Sequence, residues 1–277
     1  MTHLVTTKQE LRQRIRDANG SIGLVMTMGA LHAGHRRLID AARAHSDTVV
    51  VSIYVNPLQF APGEDFDAYP RQLEKDMEIL GDVDIVFAPS DDEMYENEPL
   101  VRIDPGQVAT RFEGATRPTH FAGVLQVVAK VFNLVRPDVA YFGQKDAQQL
   151  ALITTMVRDL DMGIDIVGVP IVRDSDGLAL SSRNTYLSPE ERTTALALVQ
   201  ALTAAREAAR GGLPPAETER LLGETLAGTT GVDVDYATIV SPETFQGVSS
   251  NARTGLAIVA ARVGATRLID NMEVSFG

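Results

Sequence analysis

Ile22-Gly23-Leu24-Val25-Met26-Thr27-Met28-Gly29-Ala30-Leu31-His32-Ala33-Gly34-His35 places two imidazoles three residues apart, directly after an apolar run. Ile22–Met28 has the unbroken hydrophobicity of a buried strand, and Arg36–Ala44 repeats apolar residues at helical spacing. His32 and His35 therefore stand at a strand-to-helix junction. In open α/β sheets ligands bind beyond the carboxyl ends of the strands, where the first helical N–H groups lack backbone partners and attract anions. Gly29 and Gly34 would let the backbone approach a phosphate, and the imidazoles would donate to oxygens whose charge rises during reaction. The reading that follows is a site for nucleotide phosphates. A turn shaped by packing alone remains open at this point. Zinc is the weaker alternative, since the chain has no cysteine and no third ligand at an obvious spacing.

Working outward, strand-like runs recur at Thr48–Val55, Val83–Phe87, Val139–Phe142 and Asp165–Val169, with helical patterns between most of them. Alternation of this kind predicts an α/β fold, a Rossmann-like doubly wound parallel sheet. Phe121–Val135 reads as a packed helix, with Gln126, Lys130 and Asn133 on the side away from its valines. After Asn184 the texture changes to two alanine-rich helices, Pro189–Arg210 and Pro214–Leu226, each opened by a proline. Strands Val232–Val240, Gly255–Val263 and Thr266–Ile269 follow. A boundary within Asp174–Ser188 divides the chain into residues 1–176 and a second, smaller α/β domain, residues 177–277, which would close over the site.

The chain of 277 residues carries 25 Lys plus Arg against 37 Asp plus Glu, a net charge of −12. That balance argues against a nucleic-acid surface, so an anionic ligand must meet a local basic cluster. Without cysteine there is neither a disulfide framework nor thiol catalysis. Near the amino terminus Glu10 and Asp17 interrupt the basic residues, and Thr7 with Glu10 reads as a helix capping box instead of a secretion signal. No apolar run reaches the roughly 20 residues of a membrane helix. These features predict a soluble, cytoplasmic protein without membrane or nucleic-acid partners.

Two more segments hold polar groups that a core would not require. Phe142-Gly143-Gln144-Lys145-Asp146-Ala147-Gln148-Gln149 again follows a strand and opens a helix. Lys145 can neutralise a phosphate, and Asp146 can accept from ribose hydroxyls or cap the helix. Gln148 is expected at the surface and Gln149 facing inward. The second segment, Ser181-Ser182-Arg183-Asn184, brings two hydroxyls and a guanidinium fork suited to clamping a triphosphate.

Together these segments are similar to the HxGH nucleotidyltransferase superfamily, with Ser181–Asn184 standing where relatives carry a KMSKS-type loop. Within it the chain resembles the pantoate–β-alanine ligase family, through TMGALHAGH at Thr27–His35, VNPLQF at Val55–Phe60 and AYPR at Ala68–Arg71. RPTHFAGV at Arg117–Val124, RPDVAYFGQKDAQQL at Arg136–Leu150 and LALSSRNTYLS at Leu178–Ser188 extend the likeness to about Ser188.

The resemblance implies an ATP- and magnesium-dependent enzyme that joins pantoate to β-alanine through a pantoyl adenylate, working as a homodimer. It assigns catalysis to His32, His35, Lys145, Ser181, Ser182 and Arg183. ATP would also meet Met28, Gly29, Phe142, Gly143, Asp146, Val172 and Leu180. Pantoate would meet Thr27, Met28, Gln59, Val124, Val127, Val128 and Gln149, with the valines holding its geminal methyls. Asp76 matches a position associated with magnesium, and Arg117 and Tyr69 match positions near the site. Phe60–Tyr69, rich in Gly, Pro and Asp, is expected to act as a flap. Met26, Gln144 and Ala147 depart from the family pattern, as do Glu74 and Lys75 beside Asp76. Two rivals are a nucleotidylyltransferase acting on a phosphorylated acceptor, and a nucleotide sensor without turnover.

Overall fold

The computed structural model describes residues 2–64 and 66–277. One compact unit comprises the residues up to Gln144 together with Leu152–Pro170. In chain order it contains β1 (His3–Val5), α1 (Lys8–Asp17), β2 (Ile22–Thr27), α2 (Ala33–His45), β3 (Thr48–Ile53), α3 (Leu73–Leu80) and β4 (Ile85–Phe87). There follow α4 (Asp91–Met94), α5 (Glu113–Thr116), α6 (His120–Val135), β5 (Val139–Gly143), most of α7 (Ala147–Asp159) and β6 (Asp165–Val169). The strands form a six-stranded, wholly parallel sheet in the order β1-β4-β3-β2-β5-β6.

Successive residues of a strand face opposite sides, so a strand covered on both sides must be apolar throughout. Leu24 and Val25 in β2, and Val49, Val50 and Val51 in β3, are all buried. On one face α2 packs Leu38, Ile39 and Ala42 against Val25, Val51 and Tyr141. The expected strands all form, most of them ending a residue or two from the predicted limits. β1 escaped prediction because three residues with Leu4 exposed carry no periodic signal. The capping box at Thr7 and Glu10 is present as read.

The second unit comprises Lys145–Ala151 and Ile171–Gly277. It contains α8 (Pro189–Arg210), α9 (Pro215–Ala227) and an antiparallel sheet of β7 (Val232–Val240), β8 (Thr254–Val263) and β9 (Thr266–Ser275). Its core packs Leu198, Leu202, Leu222 and Leu226 of the helices against Ala257 and Val259 of β8. Thr266–Ile269 was expected to end the last strand, yet β9 continues through buried Asp270 and Asn271 to Ser275.

Those polar residues are tolerated because they are partnered. Arg173 makes a bidentate pair with Asp270, Nη1 to Oδ2 at 2.6 Å and Nη2 to Oδ1 at 2.9 Å, and Nη2 also donates to the Asn271 carbonyl at 3.4 Å. The pair ties β9 to a tight reversal in which Arg173 bridges Ala179 and Leu180 N–H donates to the Val172 carbonyl at 2.9 Å. Removing Asp270 takes a charged acceptor from a guanidinium that is 22% exposed and keeps two carbonyl acceptors, at a cost of about 2 kcal/mol. Asp270→Ala should therefore lower the urea midpoint of the unit's unfolding; an unchanged midpoint would show that the pair adds nothing.

Candidate functional site

The strand order reverses between β2 and β5: β3 and β4 lie on one side of β2, and β5 and β6 on the other. At such a switch point the loops leaving adjacent strands part and open a crevice beyond the carboxyl ends. Gly23, Leu24 and Val25 of β2 pair with Val139, Ala140 and Tyr141 of β5, so Thr27–Met28 and Phe142–Gly143 emerge side by side. Two of the three segments singled out in the sequence leave these neighbouring strands.

The turn after β2 runs left-handed through Gly29 and Ala30, at φ 83° and 51°. It is held by Asp76 of α3, which is 1% exposed. The Asp76 carboxylate accepts from the Ala30 amide at 3.2 Å and from the Leu31 amide at 2.8 Å. Both of its oxygens thus anchor the loop. The buried hydroxyl of Thr27 donates to the Ser52 carbonyl at 3.1 Å and accepts from the Gly29 amide at 3.3 Å.

α2 then begins at the imidazoles. His32 is its N-cap, and His32 Nδ1 accepts from the Gly34 amide at 3.1 Å, while His35 Nδ1 accepts from the His32 amide at 3.2 Å. A ring nitrogen that accepts from an amide carries no proton, so each neutral ring holds its proton on Nε2 and presents an Nε2–H donor. The ring centroids are 4.1 Å apart. Desolvation, reinforced by neighbouring His32, pushes the His35 pKa down to about 3. His35 is therefore a neutral hydrogen-bond donor at physiological pH. Gly34 is required by the same geometry, because a Cβ there would lie 2.8 Å from Cε1 of His32.

A second element of this unit is the one-turn 3-10 helix Pro57–Gln59. Asn56, its N-cap, is 1% exposed, and its Nδ2 donates to the Gly123 carbonyl at 3.0 Å and to Gln59 Oε1 at 3.2 Å. Gln59 is consequently fixed with its Nε2 toward Met28 Sδ, 2.9 Å away. The backbone carbonyl of Gln59 lies 3.0 Å from His120 Nδ1 and accepts from Arg117 Nη2 at 3.3 Å. Arg117 in turn pairs with Glu64 at 2.7 Å. α6 approaches this turn so closely that a Cβ on Gly123 would fall 2.1 Å from the Leu58 carbonyl oxygen. Val124, Val127 and Val128 follow on α6, all buried. In the expected flap, the Phe60 ring packs against Phe66 and Tyr69 at 5.3 and 6.2 Å; Asp65 lies outside the described residues.

Phe142 is buried with its ring edge-on to Phe132 at 6.3 Å, and it and half-buried Gly143 pair with Gly168 and Val169 of β6. In the other unit, the Lys145 carbonyl accepts from Asn271 Nδ2 at 3.0 Å, so the peptide that carries this lysine is pinned to β9 beside the Arg173–Asp270 pair. Asp146 is exposed and Gln149 half-buried. Gln148, expected at the surface, is 4% exposed, because it shares a helix face with buried Ala151 and Leu152. Ser181 caps the 3-10 turn Ser182–Tyr186 and accepts from the Arg183 amide at 3.3 Å. Val172 and Leu180 flank this reversal, which Arg192 of α8 secures through Asp174 at 2.7 Å and Asp176 at 2.8 Å.

Sequence reasoning passed over Asn56 and Asn271 as individual residues, and assigned His120 no role. Asn before a proline that opens a turn was a legible capping signal for Asn56. Nothing local announces Asn271, whose side-chain amide and backbone carbonyl meet Lys145 and Arg173, each more than 90 residues away in sequence. Among the described residues no group of three or more His, Asp or Glu is disposed to hold a metal ion.

The profile of the family described as Pantoate-beta-alanine ligase matches residues 3–273. The chain is 51% identical to the pantothenate synthetase of Acidothermus cellulolyticus, over 96% of this chain and 89% of that one. It is 50% identical to the pantothenate synthetase of Thermobifida fusca, over 99% and 96%. The crystal structure of pantothenate synthetase from Thermus thermophilus superposes with a TM-score of 0.93 at 47% identity, covering 99% of both chains. The pantoate-beta-alanine ligase of Francisella tularensis, crystallised with beta-gamma ATP and beta-alanine, gives 0.80 at 34% identity, covering 98% of this chain and 97% of that one. With two of its family motifs on the strands that flank the switch point, this chain belongs to the pantoate–β-alanine ligase family.

Proposed function

We propose that this chain is an ATP-dependent ligase that condenses (R)-pantoate with β-alanine, releasing AMP and pyrophosphate. The observation that carries the reading is the pair of imidazoles locked as Nε2–H donors at the crossover from β2, in the same unit as the Gln59 amide aimed at Met28. In the first step a pantoate carboxylate oxygen attacks the α-phosphorus and pyrophosphate leaves. In the second, the amine of β-alanine attacks the acyl carbon of the adenylate and AMP leaves. An anion must meet an anion in the first step, so the protein's task is to align the reactants and offset charge.

His32 and His35 supply neutral donors to the phosphates, and the positive charge comes from Lys145 and Arg183, with Ser181 and Ser182 donating to pyrophosphate. Met28, Gly29, Phe142, Gly143, Asp146, Val172 and Leu180 frame the rest of the nucleotide. Thr27, Met28, Gln59 and Gln149 take the pantoate oxygens, and Val124, Val127 and Val128 its methyls. This lining of amides and valines suits a small hydroxy acid better than a phosphorylated acceptor, which would call for several cations. Magnesium accompanies ATP as part of that substrate and offsets phosphate charge there. No protein cage for it is present among the described residues, and the Asp76 oxygens are engaged by the loop amides.

No described helix is long and apolar enough to cross a membrane. We infer a cytoplasmic homodimer, supported by neighbouring Leu100 and Val101, which are 99% and 82% exposed and give a second copy apolar surface to cover.

AMP should form from ATP only when pantoate is present, and His35→Ala should lower the rate about 100-fold or more, as for loss of one transition-state donor; Lys145→Ala should lower kcat more than it weakens ATP binding. Pantoate-independent AMP formation, or an unimpaired His35→Ala, would refute the assignment. In 15N-resolved NMR spectra His35 should keep its Nε2–H tautomer from pH 8 down to pH 5, because its depressed pKa of about 3 keeps it neutral well below the ordinary 6.5; a titration midpoint near 6.5 would contradict the locked ring. Sedimentation should give twice the 29.9 kDa chain mass, and charged residues at Leu100 and Val101 should shift the equilibrium to monomer; a monomeric wild type would end the dimer reading.

A further inference from the structure

Tyr95 follows α4 directly as its C-cap, far in sequence from every residue the family resemblance assigns, yet its hydroxyl donates to Asn56 Oδ1 at 3.1 Å. Asn56 is the buried amide that orients Gln59. Its four hydrogen-bonding positions are all taken: Nδ2 gives to Gly123 O and Gln59 Oε1, and Oδ1 receives from Tyr95 at 3.1 Å and from the Leu58 amide at 3.4 Å. The Tyr95 hydroxyl is the shorter of the two donors to that oxygen. The Tyr95 ring is itself held, with the Lys130 ammonium 5.0 Å from its centroid and the Tyr54 ring at 6.4 Å. Lys130 belongs to α6, the helix that also carries Val124, Val127 and Val128. A chain of contacts therefore runs from the polar side of α6 through Tyr95 and Asn56 to Gln59 Nε2.

We propose that Tyr95 is a positioning residue for the acid substrate: by fixing Asn56, its hydroxyl holds the Gln59 amide in the orientation that donates to a substrate oxygen. The inference rests on the ligase reading above. Buried amides leave little freedom when every donor and acceptor is matched, and losing one good partner lets the group turn or shift. A side-chain amide that turns by half a rotation offers its oxygen where the substrate needs a hydrogen, so small freedom at Asn56 becomes weaker binding at Gln59. The ligase reading assigns this amide to a pantoate oxygen and not to the ATP phosphates, so the larger effect falls on pantoate.

Tyr95→Phe removes one oxygen and keeps the ring with its packing against Tyr54 and Lys130. Steady-state AMP formation would be measured for wild type, Tyr95→Phe, Gln59→Ala and the double variant. The expected result for Tyr95→Phe is a pantoate KM raised about three- to tenfold, the span of one neutral hydrogen bond, with kcat and the ATP KM within about twofold of wild type. In the Gln59→Ala background the same change should add less than about twofold, because the path it acts through is gone. An unchanged pantoate KM, an equal rise in the ATP KM, or the same increment without Gln59 would each overturn the proposal. A wild-type enzyme forming no AMP with pantoate would refute the ligase reading itself, an outcome separable from the others because it precedes any variant.

Discussion

The amides that follow β2 set the terms for everything around them. A chain that leaves a fully buried strand and turns at once into a helix exposes several N–H groups with no intrahelical partner. Here the first are taken by the Asp76 carboxylate and the next by two imidazole nitrogens. That satisfaction has a chemical by-product: an imidazole that accepts at Nδ1 can only donate at Nε2. The same bonds that end the turn therefore fix the tautomer of both histidines, and burial keeps His35 neutral. Fold and site chemistry are settled by one set of hydrogen bonds.

A neutral donor pair stabilises developing negative charge without contributing positive charge. In a chain of net charge −12 the cations that balance a triphosphate have to be supplied locally. In the second unit the Lys145 carbonyl is pinned by Asn271, and Arg173 and Arg192 with their carboxylate partners secure the reversal that precedes Ser181. Asp270 and Asn271 link the two anchors, so the lysine and the serine–arginine segment share one support on β9.

How legible was this in the sequence? Helices and parallel strands were, since their signals are local: buried apolar stretches in β2 and β3, proline at the start of α8, and a capping box at Thr7 and Glu10. β9 was cut short in prediction because Asp270 and Asn271 interrupt its pattern, and their partner Arg173 lies 97 residues from Asp270. Gln148 was misplaced for a related reason. Its polarity argued for solvent, whereas helix phase put it beside Ala151 and Leu152. Asp76 was read through the family resemblance as a position associated with magnesium, and only the packing of α3 beside the loop reveals it as the anchor of the Ala30 and Leu31 amides.

The sequence by itself determined the class of fold, the strand-to-helix placement of the histidines and the kinship with the ligase family, because each depends on residue types within one short stretch. The tertiary structure alone decided which strands flank the crevice, which nitrogen of each imidazole carries the proton, and that Gln59 answers to Asn56 and Tyr95. Those properties arise where separated segments meet, and hydrogen bonds across such meetings depend on distances of a few tenths of an ångström that no linear pattern records.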